Sequence, residues 1–307
     1  MKKALLFYFS GTGGTERCAR LLKEHLAEAG YQTDTYEMAL PLKPIPDLSA
    51  YDLLGFGYPI HAFNVPLTFL RFVKKNIPHG DKPFFIFKVS GEPLHLNDAS
   101  SLALYRILKH KGYRFVMEKH FLMPYNIIFR YPDPMVKEMA LYLDALTKGT
   151  ALRLARGIKE KPHYPFFKRC LSFLLRIEWL APAVNAGFVR VDQKKCVNCN
   201  RCIKQCPNQA VYRDKKGRIR LSNHCSLCMR CVMNCPADAF HFGWLNNWKV
   251  VGPYPYDDLL FNPQVPCRYT LQKKKDYFRH FTRYFHEQDA FLEAEGISLE
   301  ASDGVRK

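Results

Sequence analysis

The sequence predicts an α/β fold with a doubly wound, five-stranded parallel sheet, followed by a small α+β domain. Two observations support this prediction. Strand-like and helix-like patterns alternate through the first 160 residues, as is typical of a parallel sheet covered by helices. Eight of the eleven cysteines fall between residues 191 and 243, which marks a second unit. A length of 307 residues suits two modest domains, and 48% hydrophobic residues exclude wholesale disorder.

Apolar runs and helical spacing predict the elements in order. The predicted strands span residues 3–9, 31–37, 52–58, 84–89 and 113–123. Helices are predicted over residues 15–29, 65–75 and 99–111. A fourth helix is predicted with Asp133 as its N-cap and Pro134 at its first position. Residues 159–190 are predicted to form a packed linker with a helical piece. Residues 244–307 are predicted to form an extension ending in an amphipathic helix.

The chain begins with an apolar stretch that imitates a signal peptide. This stretch stops after six residues at Ser10, without a cleavage-like site, so we expect a buried strand and a cytoplasmic protein. The most apolar later stretch contains Arg176 and Glu178, so we expect no membrane-spanning helix.

The cysteines form a run that is repeated after 29 residues. Three cysteines at Cys-x2-Cys-x2-Cys spacing are followed after three residues by Cys-Pro, and then the whole run recurs. Tetrahedral zinc is the alternative, but zinc sites normally pair two separated Cys-x2-Cys knuckles. The repeated run resembles bacterial dicluster ferredoxins, which implies two 4Fe–4S clusters and electron transfer. The resemblance assigns Cys196, Cys199, Cys202 and Cys235 to one cluster, and Cys206, Cys225, Cys228 and Cys231 to the other.

The other three cysteines are assigned no chemistry. Cys18 lies in the first predicted helix beside apolar residues, where a small buried side chain is expected, and Cys170 and Cys267 stand alone. No residue in the chain has the setting of a catalytic acid or base.

A glycine-rich loop lies between the first predicted strand and helix. It lacks the Gly-Lys-Ser/Thr of a Walker A loop, and Glu16 stands where a dinucleotide fingerprint has its third glycine. A helix N-terminus after such a loop binds anions. The loop resembles the flavodoxin loop for the FMN phosphate, which implies contacts from Ser10, Gly11, Thr12, Gly13, Gly14 and Thr15. Gly14 departs from many flavodoxins, which have asparagine there.

Two later loops extend this resemblance. They follow the third and fourth predicted strands, and ligands of open parallel sheets lie at the carboxyl ends of strands. Both are similar to the flavodoxin loops that flank the isoalloxazine ring. The implied contacts are Tyr58, His61, Phe63, Asn64, Ser90, Gly91 and Glu92.

The order of the two halves resembles a family of fused flavodoxin and ferredoxin proteins found mainly in anaerobic microbes. This resemblance implies a flavodoxin-like FMN-binding domain over residues 1–158 and a ferredoxin domain over residues 191–243. It implies an oxidoreductase that relays electrons between FMN, two 4Fe–4S clusters and a protein partner. The alternative is a ferredoxin-type carrier whose flavodoxin-like domain lacks flavin and serves for docking.

The formal net charge of +18 indicates the chemistry of the partner. Residues 191–243 contain ten basic and three acidic residues, so an acidic redox protein or an anionic membrane surface would be attracted to them. Nucleic acid is the other candidate, but the tightest basic run, at residues 273–275, has no nucleic-acid-binding motif beside it.

Overall fold

A computed structural model describes residues 1–272 and 277–299. The first domain contains five strands, which pair in parallel in the order β2-β1-β3-β4-β5. They are β1 (Lys2–Tyr8), β2 (Tyr31–Glu37), β3 (Leu53–Pro59), β4 (Pro83–Ser90) and β5 (Arg114–Leu122). All five predicted strands are confirmed, with each end within one residue of its predicted position.

Helices cover both faces of this sheet. They are α1 (Gly14–Glu28), α2 (Leu67–Asn76), α3 (Leu102–His110) and α4 (Asp133–Ala155). Successive residues of β1 point to opposite faces: Leu6 joins the core under α1 and α4, whereas Phe7 joins the core under α2 and α3. The inner strands β1, β3 and β4 are buried on both faces over most of their length, so they are largely apolar, whereas the edge strand β2 alternates between buried and exposed residues.

All four helix starts differ from the prediction, those of α1 and α4 by one residue, that of α2 by two and that of α3 by three. The third helix is preceded by a 3₁₀ turn at His95–Ser101, so α3 begins at Leu102 rather than at residue 99. Asp133 is the first residue of α4 and Pro132 is its N-cap, because Pro132 is the residue with extended backbone at that end.

The connecting segment, residues 159–190, carries α5 (Phe166–Leu174) and α6 (Ala181–Ala186), with a 3₁₀ turn at Leu175–Trp179 between them. It is less packed than predicted. Ser172 is buried, while Phe166, Phe167 and Phe173 are 76%, 72% and 65% exposed. The physical reason is that α5 is anchored through its polar serine, which turns these phenylalanines outward.

The second domain, residues 191–243, is small and follows the sequence repeat. Its elements, with the strand that leads into it, are β6 (Val189–Val191), α7 (Arg201–Lys204), β7 (Val211–Arg213), β8 (Ile219–Leu221), α8 (Arg230–Met233) and β9 (Phe240–Phe242). Two antiparallel pairs, β6 with β9 and β7 with β8, enclose an apolar core that includes Val232 and Phe242.

The C-terminal extension packs back on the first domain. Its helices are α9 (Tyr256–Phe261), α10 (Tyr269–Gln272) and α11 (Phe281–Ala294). Phe281, Phe285 and Leu292 of α11 are buried in the core that contains α4. The basic run at residues 273–275 lies outside the described residues. None of the helices between residues 1–272 or 277–299 has the length and apolarity to span a bilayer.

Candidate functional site

The glycine-rich loop leads from β1 into α1. Gly13 is the N-cap of α1 and has a φ of +96°, a left-handed conformation that favours glycine. Ser10 Oγ accepts a hydrogen bond from the Glu16 amide at 3.3 Å, and Thr12 Oγ1 accepts one from Asn126 Nδ2 at 3.1 Å. The remaining amides of the first turn of α1 form the kind of N-terminus that binds an anion.

Thr15 provides the strongest observation for such an anion. Its side chain is 2% exposed, and among the described residues its Oγ1 has no hydrogen-bond partner. A buried hydroxyl without a partner is unfavourable, whereas a phosphate oxygen would accept a hydrogen bond from it. The loop therefore fits the phosphate of FMN.

A cavity of about 470 Å³ opens at the carboxyl ends of the strands, within the usual size range for cofactor pockets. We call it the sheet-edge cavity. It brings together most of the residues implied by the flavodoxin resemblance: Ser10, Gly11, Thr12, Gly14, Thr15, His61, Phe63, Ser90, Gly91 and Glu92.

Three of the implied residues do not line the cavity. Tyr58 still belongs to β3, so its side chain points into the core, packs on Phe69 and contacts Ser100 Oγ at 3.2 Å. Asn64 is buried away from the cavity and hydrogen-bonds to Ser172. Gly13 shapes the loop but does not line the cavity.

The loop after β3 presents two rings to the cavity. His61 and Asn64 exchange backbone hydrogen bonds of 2.9 Å, and the intervening Ala62 and Phe63 have φ values of 46° and 58°. This tight turn places Phe63 at its tip. Burial lowers the pKa of His61 to about 4, so its imidazole is neutral at pH 7 and suited to contact an apolar ring.

Glu92 is a buried carboxyl at the edge of the cavity, 5% exposed. It contacts the Tyr277 hydroxyl and, at 2.5 Å, His280 Nε2, both from the C-terminal extension. Tyr131 donates a 2.8 Å hydrogen bond to the neighbouring Gly91 carbonyl. Burial and the Glu92 carboxyl raise the pKa of Tyr131, which keeps its hydroxyl protonated. The extension therefore holds the loop after β4 in place.

The cysteines of the second domain lie around two small cavities. One is lined by Cys196, Cys199, Cys202 and Cys235, and we call it the outer cysteine site. The other is lined by Cys206, Cys225, Cys228 and Cys231, and we call it the inner cysteine site. These are the two groupings implied by the ferredoxin resemblance, and their ligation of clusters stays a prediction. Within the described residues, no three His, Cys, Asp or Glu side chains are arranged to hold one metal ion.

The backbone around the two sites repeats as the sequence does. Asn198 and Leu227 have φ values of 55° and 54°, and Asn200 and Met229 have φ values of 56° and 62°. The left-handed conformation is tolerated by asparagine but unfavourable for Leu227 and Met229, and turns of this kind direct amides toward an iron–sulfur core. The Ala210 amide also donates to Cys206 Sγ at 3.2 Å, and its counterpart Ala239 donates to Cys235 Sγ at 3.4 Å. Both sites fit a 4Fe–4S cluster.

The inner cysteine site lies directly against the sheet-edge cavity. Ser226 lines both cavities. A Cβ added at Gly11 would lie 2.4 Å from the Cys228 carbonyl oxygen, so this close approach requires glycine. Arg230 joins the two domains: its guanidinium donates to the Gly11 carbonyl at 2.7 Å and to the Ser10 carbonyl at 2.8 Å, and pairs with Glu37.

Several residues of this site were not found from the sequence. Tyr125, Asn126, Leu227 and Trp248 line the sheet-edge cavity, and Arg230 lies behind the phosphate loop. The only sequence feature that could have drawn attention to Arg230 is its position within the second cysteine run. No local pattern could show that this run packs on residues 10–11.

Comparisons with known proteins agree with the two-domain architecture. A family model described as a flavodoxin domain matches residues 5–100, and a model described as a 4Fe–4S dicluster domain matches residues 195–240. No curated protein matches the chain.

Solved structures similar to part of the chain include three from different sources. A flavodoxin from the domain Archaea is 12% identical, with a TM-score of 0.37, and the match covers 50% of this chain and 99% of that one. An oxidised flavodoxin from Bacillus cereus is 16% identical, with a TM-score of 0.37 and coverage of 51% and 96%. Rubredoxin oxygen:oxidoreductase from the anaerobe Desulfovibrio gigas is 18% identical, with a TM-score of 0.35 and coverage of 51% and 36%.

Proposed function

We propose that this chain is an electron-transfer oxidoreductase, which relays electrons between FMN, two 4Fe–4S clusters and a protein partner. The proposal rests on the presence of a flavodoxin domain and a 4Fe–4S dicluster domain in one chain. When bound, FMN exchanges electrons in pairs or singly, whereas each cluster carries one electron. The alternative function is a ferredoxin-type carrier whose first domain lacks flavin and serves for docking.

The observation that carries the proposal is the contact between the sheet-edge cavity and the inner cysteine site. Gly11 of the phosphate loop lies so close to the Cys228 carbonyl oxygen that no side chain fits between them. A domain used for docking alone has no need of this contact at its ligand-binding edge. A relay needs its redox centres held close together, and Arg230 fixes the two domains in that arrangement.

The residues have separable roles in this proposal. Thr12, Thr15 and the first amides of α1 hold the phosphate. Phe63, His61 and Trp248 line the cavity and provide ring surfaces against which a flavin ring can pack. The amides that donate to Cys206 and Cys235 stabilise thiolate sulfur, which tunes the potential of a cluster.

The outer cysteine site is the proposed exit toward a partner. Cys199 and its neighbour Val197 are exposed, whereas Cys228 of the inner site is buried. Four exposed basic side chains surround the outer run: Lys194, Lys195, Arg201 and Lys204. A basic surface around an exposed redox site attracts an acidic partner, and salt screens this attraction.

Charge reversal at this surface tests the exit. The holoprotein is reduced with light in the presence of EDTA, and electrons are then withdrawn by anionic ferricyanide or by cationic hexaamminecobalt(III). Lys195→Glu with Arg201→Glu is expected to slow ferricyanide reduction about tenfold at low salt, with a smaller effect at high salt. The same variant is expected to react faster with the cobalt complex.

The matched control is Lys74→Glu with Lys75→Glu, an equal charge change at the exposed end of α2. It leaves the outer cysteine site intact, so its ferricyanide rate should stay near that of the unchanged protein. Equal slowing by both variants would show that net charge alone sets the rate, and the proposed exit would be wrong.

A further inference from the structure

Eight large apolar side chains of the connecting segment are exposed between residues 166 and 188. They are Phe166, Phe167, Phe173, Leu174, Ile177, Leu180, Val184 and Phe188. Apolar residues scattered singly on a surface need no explanation, but a contiguous set of this size marks an interaction site.

The orientation of α5 is the reverse of that in an ordinary surface helix. Its one buried residue is Ser172, whose Oγ donates to Asn64 Oδ1 at 2.9 Å and whose carbonyl accepts from Asn64 Nδ2 at 2.9 Å. A helix packed on a core normally buries its apolar face and exposes its polar one. Here Asn64 anchors the polar side, so the phenylalanines face outward.

The exposed face continues onto the second domain. The rings of Phe188 and Trp244 lie 4.6 Å apart, and Trp244 is 70% exposed. Trp248 follows one turn later and is 52% exposed. Tryptophan combines an apolar body with a polar N–H group, and it is enriched where proteins meet the headgroup region of a bilayer.

Basic residues border this face. Residues 161–190 contain five basic residues and one acidic residue. Arg169 is exposed on α5, and its neighbour Lys168 pairs with Asp98 at 2.5 Å. The Arg176 guanidinium makes cation–π contacts with the Phe173 ring at 5.4 Å and the Trp179 ring at 5.3 Å.

We propose that α5, α6 and the Trp244–Trp248 turn form a peripheral binding face for an anionic phospholipid bilayer. Outward phenylalanine, leucine and tryptophan with flanking arginine and lysine are the features of a segment that lies in the membrane interface. The basic side chains favour anionic headgroups, because each lysine or arginine near the membrane surface adds to the electrostatic attraction. Ala181 and Pro182 of α6 also line the sheet-edge cavity, so this face borders the mouth of the proposed flavin site.

Vesicle flotation with the full chain tests the proposal. The protein is expected to float with vesicles made of equal parts phosphatidylcholine and phosphatidylglycerol, and to remain largely free with phosphatidylcholine alone. Phe166→Glu with Phe167→Glu is expected to reduce binding to the mixed vesicles about tenfold or more, because it removes two apolar anchors and adds negative charge. Arg169→Glu changes no buried group and is expected to reduce binding to mixed vesicles in a salt-dependent way.

Phe261→Glu is the matched control, because Phe261 is 65% exposed on α9, outside the proposed face. Its vesicle binding should equal that of the unchanged chain. The proposal is overturned if no vesicle binding occurs, or if all three variants bind equally. It is also overturned if light scattering finds a dimer that the double variant converts to a monomer without any vesicle binding, since the face would then join two copies. Flavin and iron contents report separately on the proposed redox function, so failure of one proposal leaves the other intact.

Discussion

Replacing Cys206 with serine is expected to disable the inner cysteine site, although Cys206 stands in the same run as the outer cysteines. The structure places its side chain with Cys225, Cys228 and Cys231. Iron should fall from about eight to about four atoms per chain. Electrons should no longer pass from light-reduced flavin into the remaining cluster, because the inner site is the one that adjoins the sheet-edge cavity. Iron analysis and anaerobic absorption spectroscopy measure both effects.

Two controls make this prediction specific. Cys235→Ser should remove a similar amount of iron from the outer site and leave transfer from the flavin to the inner cluster intact. Cys170→Ser should change neither the iron content nor the electron transfer, since Cys170 is exposed on α5, away from both cysteine sites. If Cys206→Ser retained flavin-to-cluster transfer and Cys235→Ser lost it, the crossed assignment would be wrong.

Replacing Thr15 with valine is expected to change FMN affinity and protein stability in opposite directions. The hydroxyl has no partner in the described residues, so its removal should stabilise the flavin-free protein by about 1 kcal/mol. The same change removes a hydrogen bond to a charged phosphate, so FMN affinity should fall about 10-fold to 100-fold. Thermal unfolding without flavin and fluorescence titration with FMN measure the two effects. Adding Thr12→Val should lower flavin occupancy further without changing the iron content.

Thr33→Val is a matched control for this variant. Thr33 Oγ1 is likewise buried without a partner in the described part of the chain, but Thr33 lies in β2 and does not line the sheet-edge cavity. It should stabilise the flavin-free protein and leave FMN affinity unchanged. Equal FMN affinities for Thr15→Val and the unchanged protein would show that the phosphate does not bind at this loop.

The strands of the first domain were predictable because each can be identified from its own short stretch of sequence. The inner strands β1, β3 and β4 are nearly continuous apolar runs, and the ends of all five strands could be placed within one residue. The start of α3 was less predictable, because a 3₁₀ turn and an α-helix share similar apolar spacing over a few residues.

The candidate site was predictable where a loop follows a strand and where cysteines repeat. Tyr58 shows the limit, because whether a residue near the end of a strand points into the core or toward the ligand depends on where the strand ends, and β3 continues to Pro59. Arg230 shows a second limit. Its contacts with residues 10 and 11 cross 220 and 219 positions of the chain, and no local pattern encodes them.

The connecting segment shows a third limit. Its apolar residues predicted packing, because burial is the usual fate of phenylalanine and leucine. The pairing of Ser172 with Asn64 decides the orientation of α5, and this pairing depends on the tertiary structure.

A paired determination of FMN and iron on anaerobically purified protein shows whether flavin and two clusters reside in one chain. About one heat-releasable FMN and about eight iron atoms per chain are expected. About eight iron atoms with no releasable FMN would contradict this expectation, and would leave a ferredoxin-type carrier whose first domain serves for docking.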